Sequence, residues 1–117
     1  MNWLNNIFFS LFTEEGREQF MLREQNRKAA ADFFYRGNTH FQLRQLEDAL
    51  YEFTRTIELN PKFTGAYINR GNVYFHMKNL EDALKDYDKA IELGAHVSGL
   101  YFNRACLYDL RGQYDLA

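Results

Sequence analysis

Leu46, Ala49, Leu50, Phe53 and Ile57 fall at i, i+3, i+4, i+7 and i+11. Leu80, Ala83, Leu84, Tyr87, Ala90 and Ile91 follow the same spacing. Each set makes one apolar stripe on a helix, with polar residues around the rest of the wheel. Tyr67, Ile68, Gly71, Tyr74 and Phe75 are also spaced for a helix. The pattern predicts helices over 30–43, 46–59, 64–77, 80–93 and 98–111, with the start of another at 114. Asn60-Pro61 and Gly94 supply the breaks. Each helix would be about 21 Å long at 1.5 Å per residue. One proline and seven glycines cannot supply the turns an all-β domain of this length needs, so the expected class is all-α.

The pattern repeats. Leu-Glu-Asp-Ala-Leu occurs at 46–50 and at 80–84, an offset of 34 residues. Arg36-Gly37-Asn38 returns as Arg70-Gly71-Asn72, and Ile57-Glu58-Leu59 as Ile91-Glu92-Leu93. An ungapped alignment of 30–63 with 64–97 has 12 identities in 34 pairs. A third copy starts at Ser98, where Tyr101, Asn103-Arg104, Tyr108 and Ala117 match Tyr67, Asn69-Arg70, Tyr74 and Ala83. It stops early in its second half, which reads as a fragment or as loss of a C-terminal part. The expected organisation is an N-terminal helical element over 1–29 and a repeat domain over 30–117. Its repeats are 30–63, 64–97 and an incomplete 98–117. Glycine inside a helix is unfavourable by roughly 1 kcal/mol relative to alanine. Gly37 and Gly71 share one phase, so the backbone of the partner helix is expected to approach there. Ala49, Ala83 and Ala117 are the matching small residues on the second helices.

These residues resemble the tetratricopeptide repeat (TPR) family. The family pattern is met by Phe33, Arg36-Gly37, His40, Ala49, Phe53, Thr56 and Pro61 in the first copy. Tyr67, Arg70-Gly71, Tyr74, Ala83, Tyr87 and Ala90 meet it in the second, and Tyr101, Arg104-Ala105, Tyr108 and Ala117 in the third. The departures are arginine for the family's leucine, Ala105 for glycine, and Ala95 where a second proline is expected. The resemblance implies an α-α superhelix, a solenoid of stacked antiparallel helix pairs whose first helices line a concave groove. The implied groove residues are Phe34, Asn38, Phe41, Ile68, Asn69, Asn72, Phe75, Phe102 and Asn103, with Cys106 beside them. Tyr67, Tyr74, Tyr87, Tyr101 and Tyr108 fall at interhelix packing positions instead.

A carboxamide carries both an acceptor and donors, so asparagine can pair with the C=O and N–H of an extended peptide. Asn69 and Asn103, one repeat apart, resemble the asparagine ladder of O-linked N-acetylglucosamine transferase repeats, although Tyr35 stands at that place in the first copy. The alternative is that these asparagines are solvated or bond neighbouring helices, and both readings stay open here. Some TPR domains hold a C-terminal carboxylate with two asparagines and three basic residues. The matching positions are Phe34, Asn38, Asn69, Gly99 and Asn103, which supply no base, so no such clamp is expected. A partner offering Leu, Phe or Met anchors fits better. Arg36, Arg70 and Arg104 also recur at one phase. They are read as structural partners of acids such as Glu52 and Asp86 rather than as an anion-binding row.

Residues 1–12 carry Trp3, Leu4, Ile7, Phe8, Leu11 and Phe12 on one face and Asn2, Asn5, Asn6 and Ser10 on the other. The preferred reading is a cap over the exposed apolar face of the first repeat. Membrane-surface binding and docking on another protomer or partner are the alternatives. Against the membrane, the polar face has no Lys or Arg. Thr13 before Glu14-Glu15 reads as an N-cap. The helix that follows meets no breaker before Arg36, so it can run into the first repeat. Glu24 and Lys28 are spaced for an i, i+4 pair.

Composition narrows the functions. The 117 residues carry a net charge of −2, which offers no footprint for nucleic-acid phosphates. One cysteine, Cys106, excludes an intrachain disulfide framework. No apolar run nears a membrane span, and no secretory leader is evident, so a cytoplasmic location is expected. His40, His76 and His96 lie at different phases with no zinc spacing, and no nucleophile arrangement surrounds Cys106. No catalytic residue, metal or cofactor is expected. The expected function is a non-enzymatic scaffold that binds a peptide or helix through Asn-to-backbone hydrogen bonds and aromatic contacts. The alternatives are a membrane-associated assembly factor held by 1–12 and a regulatory fragment of a longer enzyme. Self-association is expected through the N-terminal helix or the open last repeat.

Overall fold

The computed structural model describes residues 3–116, with side chains throughout except at 5, 8–11 and 113–116. Six helices follow in chain order: α1 Trp3–Phe12, α2 Glu14–Gln42, α3 Leu46–Leu59, α4 Thr64–His76, α5 Leu80–Glu92 and α6 Ser98–Leu116. There are no strands among the described residues. Helices α2 and α3 form one hairpin and α4 and α5 the next, while α4 packs on α3 and α6, more thinly, on α5. The result is an elongated all-α superhelix of stacked antiparallel helix pairs, 62 × 32 × 20 Å.

Thr13 caps α2 as its sequence position predicts. It is extended, and its Oγ1 accepts from the Gly16 N–H at 2.9 Å. The unbroken run then continues to Gln42, about 44 Å of helix. The two intra-hairpin turns are built alike. Arg44 and Lys78 are left-handed, both at φ 63°, and the next N–H bonds back to His40 O or Tyr74 O at 2.8 Å. This is the Schellman closure, here without the glycine that usually occupies it. Gly94 (φ 98°) makes the corresponding exit from α5.

Two apolar clusters hold the stack. Ala49, Phe53 and Val73 join α2, α3 and α4, with Phe34, Phe41, Leu46 and Leu50 against them. Tyr67, Ala83, Leu84, Tyr87, Ala90, Ala95, Leu100 and Leu107 join α4, α5 and α6. Gly37 and Gly71 occupy matching places, but what approaches each is a ring and not a backbone. An alanine Cβ would stand 2.6 Å from the Phe53 ring at position 37 and 2.6 Å from the Tyr87 ring at position 71. Thr56, where the second repeat has Ala90, is fully buried and bonds its own helix at Glu52 O, 2.9 Å away. The second repeat also does without its proline. Tyr67 OH donates to Pro61 O at 2.8 Å, and Tyr101 OH to Ala95 O at 3.3 Å. The tyrosine uses a backbone carbonyl, which alanine supplies as well.

Three further expectations are corrected. No helix starts at 114, because α6 runs unbroken to Leu116. Gly112 stands where Arg44 and Lys78 turn, yet it stays helical. A turn there breaks intrahelical bonds, and only a packed second helix offsets that loss. No such helix packs on α6 among the described residues. Second, α1 is not a cap over the first repeat. It packs against α2 and reaches about 15 Å from Thr13, whereas Ala30 lies about 24 Å along α2. Trp3 and Leu4 stay 70% and 65% exposed. Phe8 and Leu11 of the same predicted stripe lie outside the described side chains, as Ala117 lies outside the described residues. Third, Glu24 pairs with Arg27 at 3.2 Å rather than with Lys28, since the longer guanidinium fork one residue nearer takes the carboxylate. No helix among the described residues is long and apolar enough to cross a membrane.

Candidate binding groove

Helices α2, α4 and α6 succeed one another along one side of the stack, and the residues implied for the groove all sit on them. The asparagines come together first. Asn69 Nδ2 on α4 donates to Asn38 Oδ1 on α2 at 2.7 Å, across the repeat boundary. One repeat on, the same two positions are Asn72 and Asn103, and Tyr87 OH stands between them. It donates to Asn72 Oδ1, and Asn103 lies close enough to favour the ionised form of the same hydroxyl. Phe53 occupies the Tyr87 position in the first repeat and has no hydroxyl, so there the amides meet directly. The boundary between α2 and α4 is thus closed by a direct carboxamide pair, and one repeat on the Tyr87 phenol takes up the Asn72 carboxamide.

Burial pushes the Tyr87 hydroxyl up to about 12, against the pull of Asn103 toward the ionised form. The phenol is therefore a neutral donor across the physiological range. Its bridging role was not visible in the sequence. The one signal is that an Asn pair repeats while the ring between changes from Phe to Tyr.

The aromatic members of the set divide. Phe34 is a plug between repeats: its ring is 4.7 Å from Phe63 and 5.8 Å from Phe53, over Gly65. An alanine Cβ at Gly65 would stand 3.3 Å from that ring. Phe41 packs on the first cluster and 5.3 Å from the His76 ring, and Ile68 packs on the second cluster. These three are structural more than available. Phe75 and Phe102 face solvent, the latter at 69%. Tyr35, two-thirds exposed and at the first-repeat place of Asn69 and Asn103, joins them. Tyr67 and Tyr87 are buried as expected, but Tyr101 and Tyr108 are about two-fifths exposed, because no second helix among the described residues covers α6. Cys106 is half-buried and free.

Between the C-terminal ends of α4 and α6 a cavity of about 650 Å³ opens, lined by Phe75, His76, Lys78, Leu80, Leu110 and Arg111 among others. The equivalent place one repeat earlier is filled, since Phe41 there meets His76. Here Leu110 replaces the histidine and α6 stands further from α5.

The arginine row is structural, as expected. Arg70 makes two bonds of 2.7 Å to Asp86 and lies over the Tyr67 and Tyr74 rings. The Asp86 bond raises Arg70 above its ordinary value despite burial, while burial raises the Asp86 carboxyl against the pull of Arg70. Arg36 meets Glu52 at 3.5 Å. Arg104 reaches back to Asp88 at 3.2 Å, the place where Arg70 finds Thr54 at 3.4 Å. No group of three or more metal-ligating side chains forms among the described residues.

Comparison with known proteins agrees with this architecture. Family models for the tetratricopeptide repeat match residues 30–63 and 65–94, together over half of the chain. A search of curated proteins finds no match. Among solved structures, the first TPR of Spaghetti (RPAP3) bound to the HSP90 peptide SRMEEVD is 24% identical over 71% of this chain and 66% of its own, with a TM-score of 0.69. YrrB, a TPR protein with an unusual peptide-binding site, is 26% identical over 80% of this chain and 48% of its own, with a TM-score of 0.71. The Arabidopsis OM64 TPR domain is 22% identical over 77% and 74%, also at 0.71. The chain thus spans less than two thirds of the first two structures.

Proposed function

This chain belongs to the tetratricopeptide repeat family, and we propose that it is a non-enzymatic scaffold that binds a peptide or helix along the side formed by α2, α4 and α6. The observation that carries this reading is the combination of exposed rings and half-used carboxamides on that side. Tyr35, Phe75 and Phe102 present apolar area that nothing among the described residues covers. Asn38 keeps its amide donors, and Asn69 keeps its carbonyl acceptor, after their mutual bond. An extended backbone laid across them finds one donor and one acceptor held at fixed spacing. The direct bond removes rotamer freedom beforehand, which lowers the entropy lost on binding. Of the implied set, Asn38, Asn69, Asn72, Phe75, Phe102 and Asn103 form the contact surface in this reading, and Phe34, Phe41 and Ile68 support it from beneath.

Peptide binding by YrrB supports the assignment at the level of the family. The chemistry differs from acidic C-terminal recognition. The carboxylate-clamp positions hold Phe34 and Gly99 in place of bases, so SRMEEVD is expected not to bind. Ligands with Leu, Phe or Met anchors fit the exposed rings and the cavity beside Phe75.

The test is selection from a displayed random-peptide library against the whole chain, followed by titration. Selected peptides should carry apolar anchors, and Phe75→Ala with Phe102→Ala should weaken them at least tenfold while helicity by circular dichroism is kept. A library that yields no binder, or binders indifferent to both phenylalanines, overturns the reading.

A further inference from the structure

The N-terminal half of α2 lies outside the repeats and carries a self-complementary stripe. Arg17, Phe20, Met21 and Glu24 fall at i, i+3, i+4 and i+7, on one face of the helix. Phe20 and Met21 are about half exposed with α1 in place, and Leu22 beside them is equally bare. Arg17 forms no ion pair among the described residues. Glu24 holds only Arg27, itself largely in solvent, which leaves its second oxygen open.

The order of these four residues is charge, apolar, apolar, opposite charge. An axis of two-fold symmetry between Phe20 and Met21 exchanges the ends. Two α2 helices laid antiparallel about that axis set Phe20 against Met21 and Arg17 against Glu24, twice each. A parallel pair would set like charges together. The wider segment repeats the asymmetry: residues 14–18 hold three acids and one base, and 23–28 hold three bases and one acid. An isologous contact requires this kind of pattern, in which each surface is its own complement.

We infer that two copies of this chain pair antiparallel through the Arg17, Phe20, Met21, Glu24 stripe of α2. A bilayer is the poorer occupant. It would desolvate Glu18 and Glu24 with the stripe, and α1 brings no Lys or Arg to hold anionic lipid. The pairing leaves the repeats and their peptide-binding side free, so it stands whether or not that binding is found. Because the axis lies at the centre of the stripe, the paired chains extend their repeats in opposite directions and present two binding sides.

The experiment is sedimentation equilibrium of the full chain over a concentration series. The wild type is expected to approach twice the 14.0 kDa chain mass, and Met21→Arg to stay at the single mass with unchanged helicity. Arg17→Glu alone and Glu24→Arg alone should each weaken association at least tenfold, since each sets like charges together at two sites. The double swap Arg17→Glu with Glu24→Arg should restore it. A wild type that stays monomeric overturns the proposal. So do single variants that associate as the wild type does, or a double swap that fails to recover. Co-sedimentation of a monomeric chain with phosphatidylcholine–phosphatidylserine vesicles would overturn it as well and give the stripe to a membrane surface.

Discussion

Asn69 donates its side-chain amide to Asn38 at 2.7 Å, and this one bond joins two helices whose residues lie 31 positions apart. It is half-buried and neutral, so its net worth is about 1 kcal/mol. Asn38→Ala and Asn69→Ala should each lower stability by about that much. A double-mutant cycle should show a coupling of roughly 0.5–1.5 kcal/mol by urea denaturation. Additive effects would mean that the amides do not hold each other in solution.

Asn69 and its counterpart Asn103, one repeat on, bear on function. Asn69→Ala with Asn103→Ala should weaken a selected peptide while helicity stays intact, because both remove polar partners and neither empties an apolar core position. Unaltered affinity would remove the asparagines from the contact surface.

Tyr87 makes stability depend on alkali. Its hydroxyl ionises near 12 when folded and near 10 when unfolded. Between those values the unfolded chain has released a proton that the folded chain still holds, so stability falls as pH rises. The full loss is on the order of 2–3 kcal/mol. Tyr87→Phe, which reproduces Phe53 of the first repeat, should flatten this loss and change neutral-pH stability by less than about 1.5 kcal/mol. Melting temperatures at pH 9 and pH 11.5 compare the two.

The hairpin crossings tolerate no added carbon. Gly71→Ala would put a Cβ 2.6 Å from a fully buried ring. Ala83→Leu would overfill a site with no exposure. Each should destabilise by roughly 1–3 kcal/mol. Gly99→Ala meets nothing within 4 Å and should be neutral or gain a few tenths of a kcal/mol from helix propensity. Equal melting shifts at Gly71 and Gly99 would contradict the crossing.

The arginines of the row are not equivalent despite their common phase. Arg70→Met strands the Asp86 carboxylate, only 6% exposed, and should be unfavourable by about 3 kcal/mol or more. Arg36→Met removes a pair whose arginine side is 54% exposed and should change stability by no more than about 0.5 kcal/mol. Denaturant midpoints separate the two.

The repeat itself was plain in the primary structure. A 34-residue period, two coincident glycines and the i, i+3, i+4 stripes determine where the paired helices lie, because those signals are local and a helix reads its own sequence within a turn or two. The pairing of Arg36 with Glu52 and of Arg70 with Asp86 was legible for a related reason, since a hairpin of set length brings those phases together. What the asparagines do was not. Whether a carboxamide meets another carboxamide, a phenol or a peptide depends on distances between separate helices, which no local pattern encodes. The same limit explains the corrections at α1 and α6. A stripe of apolar residues states that something must cover it, and a glycine states that a turn is allowed. Only packing decides whether the cover is within reach and whether the turn has a second helix to stabilise it.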